Sequence, residues 1–140
     1  MSKFNKTYVF DLDNTLCKTI KNSSGFWQYE QSIPFQERIE LVNKLYNEGN
    51  YIIIDTARGS GSGKDFYELT KNQLSKWGLS YHELRSGVKF ASDYYIDDKA
   101  INSEDFFWCR VIDRIFLKLN TIKNFTTTLF LLDTGMEKNL

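Results

Sequence analysis

Four short clusters of polar residues could do chemistry in this chain. They are Asp11-Leu12-Asp13-Asn14-Thr15, Asp55-Thr56-Ala57-Arg58, Lys89, and Asp97-Asp98. Carboxylates gathered in one place repel each other unless a counter-charge offsets them. Mg2+ is a natural neutraliser, because it takes one or two carboxylates together with waters and phosphate oxygens. Lys89 can add a second positive charge, and Thr56 a hydroxyl. A loop following Thr56 adds backbone N–H groups. A metal, an ammonium, a hydroxyl and amides together can hold a phosphate. Within the first cluster, one aspartate can attack phosphorus in line while the other moves a proton.

The elements that must position these residues are legible as apolar runs. Tyr8-Val9-Phe10 stops abruptly at Asp11, and Tyr51-Ile52-Ile53-Ile54 stops at Asp55. Tyr94-Tyr95-Ile96 stops at Asp97-Asp98. Each reads as a short buried strand ending in a polar loop. Between the first two strands, Pro34 is placed to open a helix. Ile39, Val42, Leu45 and Tyr46 give that helix an apolar face, and Gly49 caps it. A helix between two such strands begins a parallel α/β sheet. Phe66, Leu69, Leu74 and Trp77 predict a second helix, with Asp65 and Glu68 in its first turn and Gly78 at its end. A short strand is expected over 83–86, and Ser103-Glu104-Asp105 marks another helix start. Ligands of open α/β sheets lie outside the carboxyl ends of the strands. If the three strands are parallel neighbours, Asp11, Asp13, Thr56, Arg58, Asp97 and Asp98 gather at one edge.

These residues carry a family resemblance. Asp11-Leu-Asp13-Asn-Thr15 resembles the DxDxT first motif of the haloacid dehalogenase-like phosphatases. Thr56 matches the second-motif hydroxyl, Lys89 the third-motif lysine, and Asp97-Asp98 the fourth-motif acids. The stretches Thr56-Ala57-Arg58 and Tyr95-Ile96-Asp97-Asp98-Lys99-Ala100-Ile101 are similar to a small capsule-polysaccharide-biosynthesis branch, with the match reaching about residue 107. The resemblance implies a Rossmann-like three-layer α/β sandwich with a mainly parallel central sheet and a capless core. It implies a magnesium-dependent phosphomonoester hydrolase working through an aspartyl-phosphate. Asp11 would be nucleophile and metal ligand, and Asp13 the acid/base, with its backbone carbonyl on the metal. Thr56 and Lys89 would hold the phosphate, and Asp97 or Asp98 would complete the Mg2+ site. Arg58 would contact the substrate or its phosphate; taken by itself, it could instead pair with a nearby acid. The substrate class implied is a sugar or polyol phosphate. Lys89 stands in Gly87-Val88-Lys89-Phe90, whereas the branch usually has glycine directly before the lysine and proline after it.

Other readings of the same residues lead elsewhere. A receiver module also gathers acids, a hydroxyl and a lysine around Mg2+, but its acid pair comes early; here the acid pair comes last. A nucleic-acid 3′-phosphatase shares the motif set, and a non-catalytic phosphate-binding or assembly module is a further alternative. The loop Gly59-Ser60-Gly61-Ser62-Gly63-Lys64 is no P-loop, since Arg58 and Asp65 occupy positions needing glycine and Ser or Thr. His82 reads as a surface residue. Phe26, Trp27 and Tyr29 read as a flap packed on the core, and Phe106, Phe107 and Trp108 as core or a subunit contact.

Composition narrows the classes. The chain has 140 residues with 18 basic and 18 acidic side chains, so its net charge is zero. That argues against a general nucleic-acid or anionic-membrane binder. No run approaches the roughly 18 apolar residues of a membrane span, and the first apolar run is too short for a signal peptide. Cys17 and Cys109 form no CxxC pair and read as free thiols of a reducing compartment. The expectation is a cytoplasmic protein binding a small phosphorylated substrate, with neither nucleic acid nor membrane as partner and with homo-oligomer formation in view. One domain is expected over 1–140, with a motif-bearing core over about 5–107, a flap over about 17–33 around the turn signal Asn22-Ser23-Ser24-Gly25, and a tail over 109–140 without assigned function. There are 44 residues between Asp11 and Thr56 and 32 between Thr56 and Lys89. Flap and helices use both intervals, which leaves no room for a separate cap domain. The cleft should therefore be open, shielded by the flap or by another subunit.

Overall fold

The protein is described by a computed structural model covering the backbone of residues 3–133 and the side chains of residues 3–123. The described residues divide after Tyr95 into two compact units. That division falls inside the stretch expected to form one motif-bearing core.

The first unit is built on a three-stranded parallel sheet of order β1-β4-β5. Its strands are β1 (Thr7–Phe10), β4 (Tyr51–Thr56) and β5 (Glu83–Ser86). A small antiparallel pair, β2 (Cys17–Lys18) and β3 (Ile33–Pro34), lies between β1 and β4 in the chain. Helix α1 (Gln36–Asn47) connects β3 to β4 and packs on β4, and α2 (Tyr67–Lys76) connects β4 to β5. This is an α/β fold with the crossover helices that parallel strands require.

The apolar patterns of the sequence account for these elements. β4 alternates strictly, with Ile52, Ile54 and Thr56 buried and the residues between them half-buried. One face of the strand therefore carries the core, rather than both. Ile39, Leu41, Val42 and Leu45 of α1, which packs on β4, are buried, as are Leu74 of α2 and Phe10, Leu12 and Leu16. Gly49 ends α1 with φ 85°, and its N–H bonds the carbonyl of Tyr46. Left-handed backbone of this kind favours glycine.

Three local expectations are corrected. Pro34 does not open α1. It pairs with Cys17 in the antiparallel pair, and the helix begins two residues later, after Phe35. The Phe35 N–H bonds the carbonyl of Leu16, so the chain is still held in the sheet-like hairpin at that point. Tyr94-Tyr95-Ile96 is not a strand. Its local bonds go elsewhere: the Tyr95 hydroxyl donates to the Phe90 carbonyl, and Lys89 lies over the Tyr95 ring. Three residues without a ladder partner cannot satisfy a strand's backbone groups. His82 is not a surface residue. It is half-buried and stacks between Tyr46 and Tyr51, while its Nδ1 accepts the Ile52 N–H at 3.1 Å.

The expected flap is a hairpin. Lys21 and Trp27 form an antiparallel bridge around the 22–25 turn, and a single 3-10 turn, Tyr29–Gln31, returns the chain to β3. The strand expected over 83–86 is β5.

The second unit contains α3 (Ser103–Asp133), which starts where the Ser-Glu-Asp signal lies. Asn102 caps it, its side-chain oxygen accepting the Glu104 N–H. Most of the tail without assigned function is thus helix, while residues 134–140 lie outside the described residues. Phe107 is buried and Trp108 is exposed. No helix among the described residues is long and apolar enough to cross a membrane.

Candidate active site

The carboxyl ends of β1 and β4 lie side by side, because Phe10 pairs with Ile54 in parallel register. The chain leaving β1 folds at once into a tight turn. The carbonyl of Leu12 accepts the N–H groups of Thr15, Leu16 and Cys17. Asn14 takes φ 62° to make this possible, and its side-chain oxygen accepts the Thr19 N–H. Asparagine is one of the few residues that tolerates left-handed backbone. The turn sets the Asp11 and Asp13 side chains into a cleft of about 440 Å³, together with Thr56, Arg58 and Lys89. Trp27 and Tyr29 of the flap, and Phe90 and Tyr95, supply aromatic surface to the same cleft.

Within the cleft the two aspartates have different partners. Asp11 Oδ1 receives the Lys89 ammonium at 2.7 Å, and Oδ2 accepts the Thr15 hydroxyl at 3.0 Å. Lys89 reaches it from the loop after β5, where Gly87 turns the chain with φ 78°. Asp13 is held by Arg58. Nε lies 2.9 Å from Oδ2 and Nη2 lies 2.7 Å from Oδ1, a bidentate fork. The Thr19 hydroxyl donates to Asp13 Oδ1 at 2.5 Å, and that of Thr56 to Oδ2 at 3.4 Å.

Arg58 takes the pairing with a nearby acid that its position allowed. Its side chain is fully buried. Nη2 also donates to Ser32 Oγ, and Nη1 to Thr70 Oγ1 and Gln73 Oε1. The Tyr29 ring lies 4.8 Å from the guanidinium carbon. All three nitrogens are thus occupied by protein, and Arg58 presents its charge to Asp13. Buried charge is tolerated only when paired and hydrogen-bonded in this way.

Burial and this ion pair shape two neighbouring groups. Burial pushes the Cys17 thiol up to about 11, with Asp13 adding to the rise and Thr19 and Arg58 opposing it. Burial, reinforced by Asp13 and opposed by Arg58, also raises the Tyr29 phenol. Cys17 is therefore an un-ionised core thiol at neutral pH, not a nucleophile.

Among solved structures, the chain is similar to the crystal structure of a target protein from Vibrio cholerae. The two share 26% identity with a TM-score of 0.60, over 73% of this chain and 87% of that one. No protein-family model and no curated protein matches the chain. The likeness agrees with the α/β fold described above.

Five of the expected site residues are thus brought together in the first unit: Asp11, Asp13, Thr56, Arg58 and Lys89. The other two expected residues are Asp97 and Asp98. They lie in the second unit on exposed loop, where Asp97 Oδ1 accepts the Lys99 N–H at 2.6 Å. No group of three or more His, Cys, Asp or Glu among the described residues is arranged to hold a metal ion. In kind, the donors still suit a hard cation, since Mg2+ uses few protein carboxylates and retains waters. Thr19, Ser32 and Gln73 were absent from the expected set. They surround the Asp13–Arg58 pair, yet no motif spacing marks them, because each meets that pair only through folding.

Proposed function

We propose that this protein is a magnesium-dependent phosphomonoester hydrolase with a capless, Rossmann-like sandwich core of the haloacid dehalogenase type. The observation that carries the reading is the meeting of Asp11, Asp13, Thr56 and Lys89 in one cleft beyond the carboxyl ends of parallel strands. Two carboxylates with different partners in one cleft suit two roles.

Asp11 is the nucleophile in this reading. A carboxylate oxygen forms a bond to phosphorus, and the bond from phosphorus to the alcohol oxygen breaks. Asp13, in its protonated form, gives its proton to that departing oxygen, and Arg58 pairs with the carboxylate left behind. In the second half, Asp13 takes a proton from water as the water oxygen attacks phosphorus. The bond to Asp11 breaks and inorganic phosphate leaves. Lys89 and Thr56 offer an ammonium and a hydroxyl to the phosphate oxygens. Arg58 orients Asp13 instead of touching the substrate. The carboxylate of Asp11 and the backbone carbonyl of Asp13 would hold Mg2+. Bound there, the ion supplies positive charge that offsets repulsion between carboxylate and phosphate.

The substrate class follows from the branch resemblance and is compatible with the cleft. A volume of about 440 Å³ suits a small metabolite, and the aromatic walls suit the apolar face of a sugar or polyol phosphate. A phosphate-release screen over hexose, heptose and amino-alcohol phosphates, with an aryl phosphate beside them, tests the reading. Release with Mg2+ that disappears in Asp11→Asn supports it. No release from any compound by the wild-type protein overturns it.

A further inference from the structure

Gln73 lies on α2, sixty positions after Asp13, and no motif includes it. Its amide has two partners in two different elements. Oε1 accepts Arg58 Nη1 at 2.6 Å, and Nε2 donates to the Tyr29 carbonyl at 2.6 Å. Tyr29 opens the 3-10 turn of the flap, and its ring also meets Phe66 edge-on at 4.9 Å, just before α2. The amide cannot be reversed. Reversal would set NH2 against a guanidinium N–H and oxygen against a carbonyl, two repulsive contacts.

Arg58 in turn grips Asp13 with Nε and Nη2. A continuous chain of bonds therefore runs from the flap backbone through Gln73 and Arg58 to the Asp13 carboxylate. Trp27 and Tyr29, which wall the cleft, belong to that same flap.

We propose that Gln73 is a positioning residue that latches the flap over the cleft and, through Arg58, fixes the direction of the Asp13 carboxylate. The flap part stands on geometry alone. The Asp13 part rests on the phosphatase reading above. The two bonds can be separated chemically. Gln73→Glu keeps an acceptor for Arg58 but sets a carboxylate oxygen against the Tyr29 carbonyl, so the latch opens while the clamp remains. Gln73→Met removes both.

The test combines native-state proteolysis with kinetics on an aryl phosphate. Lys21 is exposed within the flap and Lys44 within α1. Trypsin should cut after Lys21 about threefold or more faster in both variants, with cutting after Lys44 unchanged, because opening is local. In Gln73→Glu, KM should rise about fivefold with kcat reduced less than about threefold. In Gln73→Met the same rise in KM should accompany a loss of about tenfold in kcat. Recovery of kcat by glutamate is an effect that a merely structural role would not produce. Unchanged cutting after Lys21, or equal acceleration at Lys21 and Lys44, overturns the proposal. So does an identical kcat in the two variants of an active enzyme. A wild-type protein without activity but with selective opening at Lys21 would sink the phosphatase reading and leave the latch standing.

Discussion

Lys89 Nζ lies 2.7 Å from Asp11 Oδ1, across 78 positions of sequence. The contact joins the loop after β5 to the turn after β1, the two outer strands of the sheet. Its side chains are partly open to solvent, 19% for Lys89 and 36% for Asp11. Pairs this accessible add little to stability. In the phosphatase reading, an anion entering the cleft meets an ammonium already in place. Asp11→Asn should abolish phosphate release, by about a thousandfold or more, with little change in melting temperature. Lys89→Met should raise KM and lower kcat, together reducing kcat/KM by about a hundredfold. Steady-state kinetics and thermal denaturation check both. Activity retained in Asp11→Asn would remove the nucleophile from the reading.

Arg58 and Asp13 form the opposite kind of pair. The arginine side chain is fully buried and that of Asp13 is 19% exposed. Arg58→Met leaves Asp13, Ser32, Thr70 and Gln73 without their shared donor. Removing one partner of a buried pair costs about 3–5 kcal/mol. Urea denaturation should show a loss of that order. Lysine should not restore it, since one ammonium cannot reproduce the fork. A variant as stable as wild type would mean that the fork contributes nothing to the fold.

Chelation is a separate test. If Mg2+ binds in the cleft, EDTA should abolish phosphate release and added Mg2+ should restore it. Full activity in EDTA would remove the metal from the reading.

Cys17 predicts a pH dependence. The folded protein holds its thiol protonated up to about 11, against an ordinary value of 9.0. Between those values the unfolded chain releases a proton that the folded chain keeps. Stability is therefore fully present below about 9 and declines as pH rises toward 11. Urea denaturation from pH 8 to 11 should show this decline, with a shallower slope in Cys17→Ala. A thiol reagent at pH 8 should label exposed Cys109 promptly and buried Cys17 only on unfolding. Equal labelling rates would contradict the burial.

Gly59 follows the site directly and takes φ 87°. A Cβ there would stand 2.1 Å from the Lys64 carbonyl oxygen. Gly59→Ala should destabilise by about 2 kcal/mol or more, since left-handed backbone and a backbone clash add. Gly61, with open space around it, provides the comparison. Equal melting temperatures for the two alanine variants would contradict the loop's geometry.

The sequence by itself determined the parallel strands β1 and β4, the short strand β5, both crossover helices and the start of α3. It also marked Asp11, Asp13, Thr56, Arg58 and Lys89 as residues that could share a site. The elements are written in local periodicity, caps and the abrupt end of apolar runs at acids, which are properties of neighbouring residues, while the site residues also rest on the order of motifs that resembles a known family. Where local signal was short or ambiguous, the sequence misled. Pro34 suits either a helix start or a strand edge, and Tyr94-Tyr95-Ile96 reads as a strand only if a neighbour pairs with it. Tertiary structure alone decided that Arg58 turns inward to Asp13, that Gln73 joins it to the flap, and that His82 is stacked between two tyrosines. Such partners lie 15 to 45 positions apart, as Gln73 does from Arg58 and Arg58 from Asp13. A buried charge must find its counter-charge, and only the packed chain settles which one lies within reach.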